Sequence, residues 1–108
     1  MSEAFRRIQT LVLAADVRVS DHGYEELLKD GILIDDVLSG IVTAVPIEDY
    51  DGRLRGLSVL TLQHDGSGRP VHVVWALPVN ARRPAVLVTA YRPDPARWDA
   101  DFRKRKIR

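Results

Sequence analysis

The spacing of apolar positions changes from helical to extended part-way along the chain. The first stretch, residues 3–15, carries its apolar side chains at helical spacing, which predicts a helix. Ser20 or Asp21 is a candidate N-cap and Gly31 a candidate C-cap, so a second helix is expected between them. A short third helix is expected over residues 34–39. Residues 17–19 are long enough only for a small strand.

The rest of the chain has the composition of strands. Residues 41–50 are rich in Val, Ile and Thr, and Pro46 confines any strand there to an edge or a bulge. Asp51-Gly52 indicates a turn, and the run from Asp65 to Gly68 indicates a hairpin loop. Strands are expected at 57–63, 70–77 and 85–91.

These elements predict a single α+β domain over residues 1–108. Consecutive strands joined by short loops form a three- to four-stranded antiparallel meander, and the N-terminal helices are available to cover one face. After Tyr91 two prolines break the strand, and Pro95 suits the first position of a short C-terminal helix. Trp98 and Phe102 would share one face of that helix.

Composition narrows the class of protein. The chain has 108 residues, 45% apolar residues and no cysteine, which excludes disulfide scaffolds, zinc ribbons and thiol nucleophiles. The N-terminus lacks the apolar region of a signal peptide, and no apolar run approaches the roughly 18 residues of a membrane span. A cytoplasmic location without membrane attachment is therefore expected.

Charge is unevenly distributed along the chain. Residues 1–91 hold 9 Lys/Arg against 12 Asp/Glu, whereas residues 92–108 hold 7 against 3. A basic C-terminal segment on a mildly acidic body indicates a polyanion or an acidic protein as partner, with a solvated tail as the alternative. The candidate nucleic-acid-binding residues are Arg97, Trp98, Arg103, Lys104 and Arg105. Trp98 could stack on a base or anchor the closing helix to the sheet.

The candidate catalytic residues are His22, Tyr91 and Arg92. At a helix start His22 can stay neutral as a general base, although a capping or surface role is equally simple. Tyr91 and Arg92 end a strand, where a hydroxyl and a guanidinium suit RNA cleavage without a metal. His72 alternates with apolar neighbours, which favours a structural role. The sequence has no phosphate loop, no dinucleotide-binding glycine motif and no metal-ligand spacing, so we expect no cofactor and no metal.

Several short motifs resemble a small bacterial family of domains of unknown function. They are His22, Gly31-Ile32, Val37, Glu48-Asp49-Tyr50 and Val88-Thr89-Ala90-Tyr91, and the resemblance covers about residues 17–103. Two further motifs, His72-Val73-Val74-Trp75 and the residues from Tyr91 to Trp98, resemble one branch of that family.

That family is similar to RelE/MqsR-type toxins, whose genes often neighbour YgiT-type zinc-finger antitoxins. The resemblance implies a RelE/MqsR-like fold and cofactor-free mRNA cleavage, either ribosome-dependent or free, with His22, Tyr91 and Arg92 at the site. It also implies a cognate antitoxin as partner. Two positions depart from the family pattern, because Glu26 and Asp30 stand where relatives have arginine.

Three functions follow as hypotheses. The first is a toxin-like, metal-independent endoribonuclease of a type II toxin–antitoxin system. The second is a non-catalytic module of the same fold that binds protein or nucleic acid, which the two acidic replacements favour. The third is a structural or small-molecule-binding protein.

Overall fold

Three helices form the N-terminal part of the fold. The computed structural model describes residues 2–52 and 56–107, and places α1 at Glu3–Leu13, α2 at Asp21–Lys29 and α3 at Ile34–Ser39. Ser2 caps α1 by accepting a hydrogen bond from the Phe5 amide, and Ser20 caps α2 by accepting one from the Gly23 amide. All three predicted helices are therefore confirmed, with α1 ending two residues earlier than expected.

Five strands make one mixed sheet. They are β1 (Val17–Val19), β2 (Val45–Gly52), β3 (Gly56–His64), β4 (Pro70–Ala76) and β5 (Ala85–Tyr91). Their order across the sheet is β1-β5-β4-β3-β2. β1 runs parallel to β5, and the other neighbours are antiparallel.

The predicted three- to four-stranded antiparallel meander is therefore wrong, although the α+β class is confirmed. The last strand, β5, has a free edge that accepts the short β1 as a parallel neighbour. The Ala85 amide donates to the Asp16 carbonyl and the Ser20 amide donates to the Leu87 carbonyl, which closes this pairing at both ends. The sequence of a three-residue strand does not indicate which strand it pairs with, and here the partner lies nearly seventy residues away.

The predicted C-terminal helix is also wrong. Residues 94–106, which we call the strap, form two turns joined by a single antiparallel bridge between Trp98 and Arg105. The Asp94 carboxylate accepts from the Ala96 amide, and the Asp99 carboxylate from the Lys104 amide. Phe102 has a φ of 61°, outside the helical region. Local bonds from aspartate side chains thus replace the helical ladder.

The chain between α3 and β3 departs less from expectation. Residues Gly40–Thr43 form a 3₁₀ turn that buries Ile41 completely, so the strand expected from residue 41 begins only at Val45. β2 is an edge strand with an irregularity between Pro46 and Glu48, which confirms the expectation for the proline. Asp51 and Gly52, where a turn was predicted, are the last two residues of β2, and residues 53–55, which follow them, lie outside the described residues.

The two faces of the sheet are covered by different parts of the chain. The helices bury one face over an apolar core that includes Ile8, Leu27, Val73, Trp75 and Leu87. In that core the Gln63 side chain accepts from the Trp75 indole at 2.9 Å and donates to the Val37 carbonyl at 2.8 Å. The strap lies over the opposite face. Within the described ranges no helix is long and apolar enough to cross a membrane.

Candidate active site under the strap

His72 lies at the centre of the face that the strap covers. Its register neighbours on β3 and β5 are Leu62 and Tyr91, and its side chain is 0% exposed. Nε2 lies 2.8 Å from the Phe102 carbonyl oxygen of the strap. Because a carbonyl only accepts hydrogen bonds, Nε2 carries the proton and Nδ1 has a free lone pair.

Tyr91 ends β5 and pairs directly with His72. Its hydroxyl lies 3.4 Å from His72 Nδ1, and the two rings meet edge to face with centroids 5.4 Å apart. Burial raises the pKa of Tyr91, and burial lowers the pKa of His72. The tyrosine therefore keeps its proton beside a neutral imidazole, and its hydroxyl donates to Nδ1.

A cluster of aromatic and charged side chains borders this pair. The Trp98 ring meets His72 edge to face at 4.4 Å, and the Arg105 guanidinium carbon lies 4.7 Å from the Trp98 ring centroid. Arg105 also makes two hydrogen bonds to the Glu48 carboxylate, at 2.9 and 3.1 Å. The Tyr50 hydroxyl donates to the same carboxylate.

Protonation in this cluster follows from the ion pair. The hydrogen bonds from Arg105 lower the pKa of Glu48, so the carboxylate stays charged. Burial and the bond to Glu48 raise the pKa of Tyr50 to about 12. The cluster at neutral pH thus consists of one carboxylate, one guanidinium, two protonated tyrosines and one neutral histidine.

Arg92 is held in place by the protein itself. Its amide donates to the Asp30 carboxylate at 2.9 Å, and its guanidinium pairs with Asp65 at 2.8 Å and reaches the Pro70 carbonyl at 3.3 Å. The Asp65 side chain is nearly buried by this contact. Arg92 therefore ties the end of β5 to α2 and to the β3–β4 hairpin loop, and the acidic Asp30 takes part in that tie.

His22 lies in the helix layer rather than beside Tyr91. It is exposed in the first turn of α2, and its Nε2 is 3.6 Å from the Glu26 carboxylate, four residues later. α2 packs on β5 through Leu27 and Gly23, on the sheet face that carries Leu87. The histidine that the fold brings to Tyr91 is thus His72.

A family model matches most of this region of the chain. The model describes a domain of unknown function (DUF4258) and matches residues 19–92. The chain belongs to this family. No curated protein and no solved structure matches the chain. The DUF4258 region contains His72, Tyr91, Glu48 and Tyr50, whereas the strap begins beyond its last matched residue.

The strap adds a basic surface to the DUF4258 domain. Arg97, Arg103, Lys104 and Lys106 are exposed on it. Arg97 and Arg103 approach Asp94 and Asp101 only at 3.9 and 4.0 Å. Trp98 is only 3% exposed, so its ring contacts the protein rather than solvent.

Sequence reasoning missed three members of the cluster in the DUF4258 region. Glu48 and Tyr50 appeared only as part of a family motif, although their spacing of two on a strand places them on one face. His72 was interpreted as structural, although its alternation with Val71 and Val73 indicated the face opposite the core. Within the described ranges no three His, Cys, Asp or Glu side chains are grouped to hold a metal ion.

Proposed function

We propose that this DUF4258 chain is a toxin-like endoribonuclease of a type II toxin–antitoxin system that cleaves mRNA without a metal ion. In this proposal Tyr91 and His72 are the proton-transferring pair. The observation that carries it is the hydrogen bond between the Tyr91 hydroxyl oxygen and Nδ1 of the neutral His72 imidazole, 3.4 Å apart. The hydroxyl can donate a proton and the imidazole nitrogen can accept one. The resemblance of the motifs around Tyr91 to RelE/MqsR-type toxins supports the substrate class.

The chemistry needs one group that accepts a proton and one that donates a proton. The Tyr91 hydroxyl turns from His72 Nδ1 to the 5′-oxygen, and the freed Nδ1 takes the proton of the ribose 2′-hydroxyl while the 2′-oxygen forms a bond to phosphorus. The bond from phosphorus to the 5′-oxygen breaks, and that oxygen takes the Tyr91 proton. The imidazolium then passes its proton to the phenolate as the hydrogen bond between the two side chains forms again. The products are a 2′,3′-cyclic phosphate and a free 5′-hydroxyl, and both side chains regain their starting states.

The basic strap supplies electrostatic support for this proposal. Arg97, Arg103 and Lys104 are exposed cations on the strap, and such groups bind RNA phosphates with a gain in entropy from the counterions that are released. Arg105, whose charge acts on both His72 and Tyr91, is a further candidate to bind an RNA phosphate. An acidic antitoxin would compete for the same surface, and a ribosome would present the mRNA to it.

The test is growth and RNA cleavage with matched variants. Induced expression in a bacterial host is expected to stop growth, and the purified chain is expected to cut mRNA in the presence of EDTA, with or without ribosomes. Tyr91→Phe and His72→Gln should each lower the cleavage rate by about 10²–10⁴-fold. His22→Gln, on the helix layer, should leave it within a factor of two.

A second candidate function is favoured by the burial of the pair. His72 is 0% exposed, and Arg92 and Arg105 both pair with carboxylates, as in a non-catalytic module that binds protein or nucleic acid. Salt-dependent RNA binding with no cleavage under any of these conditions would replace the first proposal by this one. Cleavage that does not depend on Tyr91 would overturn the assignment of the pair.

A further inference from the structure

The strap closes off the one histidine that contacts Tyr91. The Phe102 carbonyl occupies Nε2 of His72, and the edge-to-face contact with Trp98 covers the ring. With His72 at 0% exposure, no ribose hydroxyl can reach its nitrogens while the strap is in this position. The His72–Tyr91 pair and the strap are therefore separate parts of the chain, and the strap blocks access to the pair.

The strap is held together by backbone hydrogen bonds between its own residues. Within the described residues, its loop and bridge backbone hydrogen bonds join strap residues to each other, such as Asp99 to Lys104 and Lys106 to Arg97. It adds no strand to the sheet. Its contacts with the domain include the Trp98 ring on His72, the Phe102 carbonyl on His72 and the Arg105–Glu48 ion pair. None of these is a backbone hydrogen bond within the strap, so they can break without breaking its own turns.

The ion pair is the contact most open to competition. The Arg105 side chain is 60% exposed and the Glu48 side chain 27%, so solvent and salt reach both. A phosphate accepts the same two-pronged hydrogen bonding from a guanidinium as a carboxylate does. The neighbouring Arg103 and Lys104 would bring a phosphate chain to Arg105. RNA can thus replace Glu48 as the partner of this arginine.

We propose that the strap is an autoinhibitory cover of the His72–Tyr91 pair, that Arg105 latches it to Glu48, and that RNA phosphates open the latch. The strap lies beyond the matched family region, as a cover added to that region would. The consequence for cleavage rests on the proposed function, whereas the covering of His72 is a property of the fold and is testable without activity.

The first test measures access to His72 by acylation with diethylpyrocarbonate, read for each histidine by peptide mass spectrometry. His22 and His64 are exposed and serve as internal references. In the wild-type chain His72 should react at least tenfold more slowly than either. Arg105→Gln and Glu48→Gln should each raise the His72 rate severalfold and leave the references unchanged.

Arg103→Gln is the matched control for the latch. It removes the same charge two residues away on the strap, where the nearest carboxylate is 4.0 Å from the guanidinium. It should leave His72 protected. The proposal is overturned if His72 stays equally slow in Arg105→Gln and Glu48→Gln while circular dichroism shows both folded, or if Arg103→Gln exposes His72 as much as they do.

The second test locks the cover. Because the natural chain has no cysteine, the double variant Glu48→Cys/Arg105→Cys can be joined selectively by a reducible bis-maleimide. The joined form should protect His72 and cut RNA at least tenfold more slowly than the same variant after reduction, whose own rate is below that of the wild-type chain because Arg105 is missing. If His72 follows the lock but the wild-type chain cuts no RNA, the cover stands and the proposed nuclease fails. If joining leaves His72 reactive, or leaves the cleavage rate unchanged, the cover fails.

Discussion

At the scale of single residues, His72 is set apart by the way its environment fixes its protonation. Burial opposes the charged form, and the nearby Arg105 opposes it as well, while the Phe102 carbonyl and Glu48 act in the other direction. Burial is the largest of these effects, so the imidazole is neutral. The Phe102 carbonyl then selects the tautomer with its proton on Nε2, which leaves Nδ1 as the acceptor for Tyr91.

This lowered pKa predicts a pH dependence of stability. The unfolded chain binds a proton at His72 near pH 6.5, whereas the folded chain binds it only at lower pH. Between these values the unfolded state holds more protons, so stability falls as the pH decreases below about 6.5, by up to about 1.4 kcal/mol per pH unit. Urea unfolding of the wild-type chain at pH 7 and pH 5 should show this loss.

Two variants isolate the contribution of His72. His72→Gln removes the titrating group and should lose markedly less stability between pH 7 and pH 5 than the wild-type chain does. His22→Gln alters an exposed histidine and should keep the wild-type loss. Equal losses in the wild-type chain and His72→Gln would contradict the assignment of a neutral, buried imidazole.

The site could be predicted from sequence only where a local signal pointed to it. Tyr91 was identifiable because a strand ends there, and a side chain at a strand end often reaches a site. His72 became its partner through the register of β4 and β5, which no spacing along the chain reveals. Arg92 looked catalytic beside Tyr91, but the two acids that bind it come from the C-cap of α2 and the β3–β4 loop.

At the scale of elements, prediction succeeded where the structure is decided locally. The helices follow from caps and apolar spacing, and the hairpin loop after β3 from its glycines and aspartate. The prediction of a helix over the strap was wrong. Trp98 and Phe102 have helical spacing, but aspartate side chains within the strap accept hydrogen bonds from nearby amides. Spacing describes which side chains would share a helix face, and it does not describe this competition for the backbone.

α2 packs closely on β5, the strand that ends at Tyr91. A Cβ added at Gly23 would lie 2.8 Å from the Leu87 carbonyl oxygen and 3.0 Å from the Leu87 side chain. Such contacts are too short for a carbon atom, so any side chain there must push α2 away from the strand. The glycine thus sets the distance between the helix layer and the strand that ends in Tyr91.

Gly23→Ala is therefore expected to destabilise the fold by about 1–3 kcal/mol, the usual cost of overpacking. This loss should appear even though alanine favours a helix more than glycine does. The free energy of unfolding in urea measures it. Glu25→Ala, at an exposed position of the same helix, should change stability by less than about 0.5 kcal/mol. A stable Gly23→Ala variant would show that α2 can shift without cost.

At the scale of the whole molecule, the layers of the fold divide the charge. The helices and sheet belong to the part of the chain with an excess of acidic residues, and the strap carries the basic excess on the opposite face. One acidic group, Glu48, meets the strap and pairs with Arg105. The remaining strap cations face solvent, so the molecule presents one basic side to a polyanion.

This arrangement predicts which face carries RNA in solution. The triple variant Arg97→Gln/Arg103→Gln/Lys104→Gln removes three positive charges from the strap. If each neutralises a phosphate of single-stranded RNA, the slope of log K against log salt concentration should become shallower by about 2. The affinity for a 2′-O-methyl oligonucleotide, measured by fluorescence anisotropy from low to physiological salt, gives that slope without cleavage.

The matched control removes the same charge from the rest of the molecule. Arg6, Arg18 and Lys29 are exposed on α1, β1 and α2. Their replacement by glutamine lowers the net charge equally, so a change caused by net charge alone would appear in both triple variants. We expect the control slope to stay near that of the wild-type chain, because the RNA lies along the strap. Equal changes in the two variants would mean that RNA binds without preference for this face, and the strap would then lose its role as the element that RNA engages.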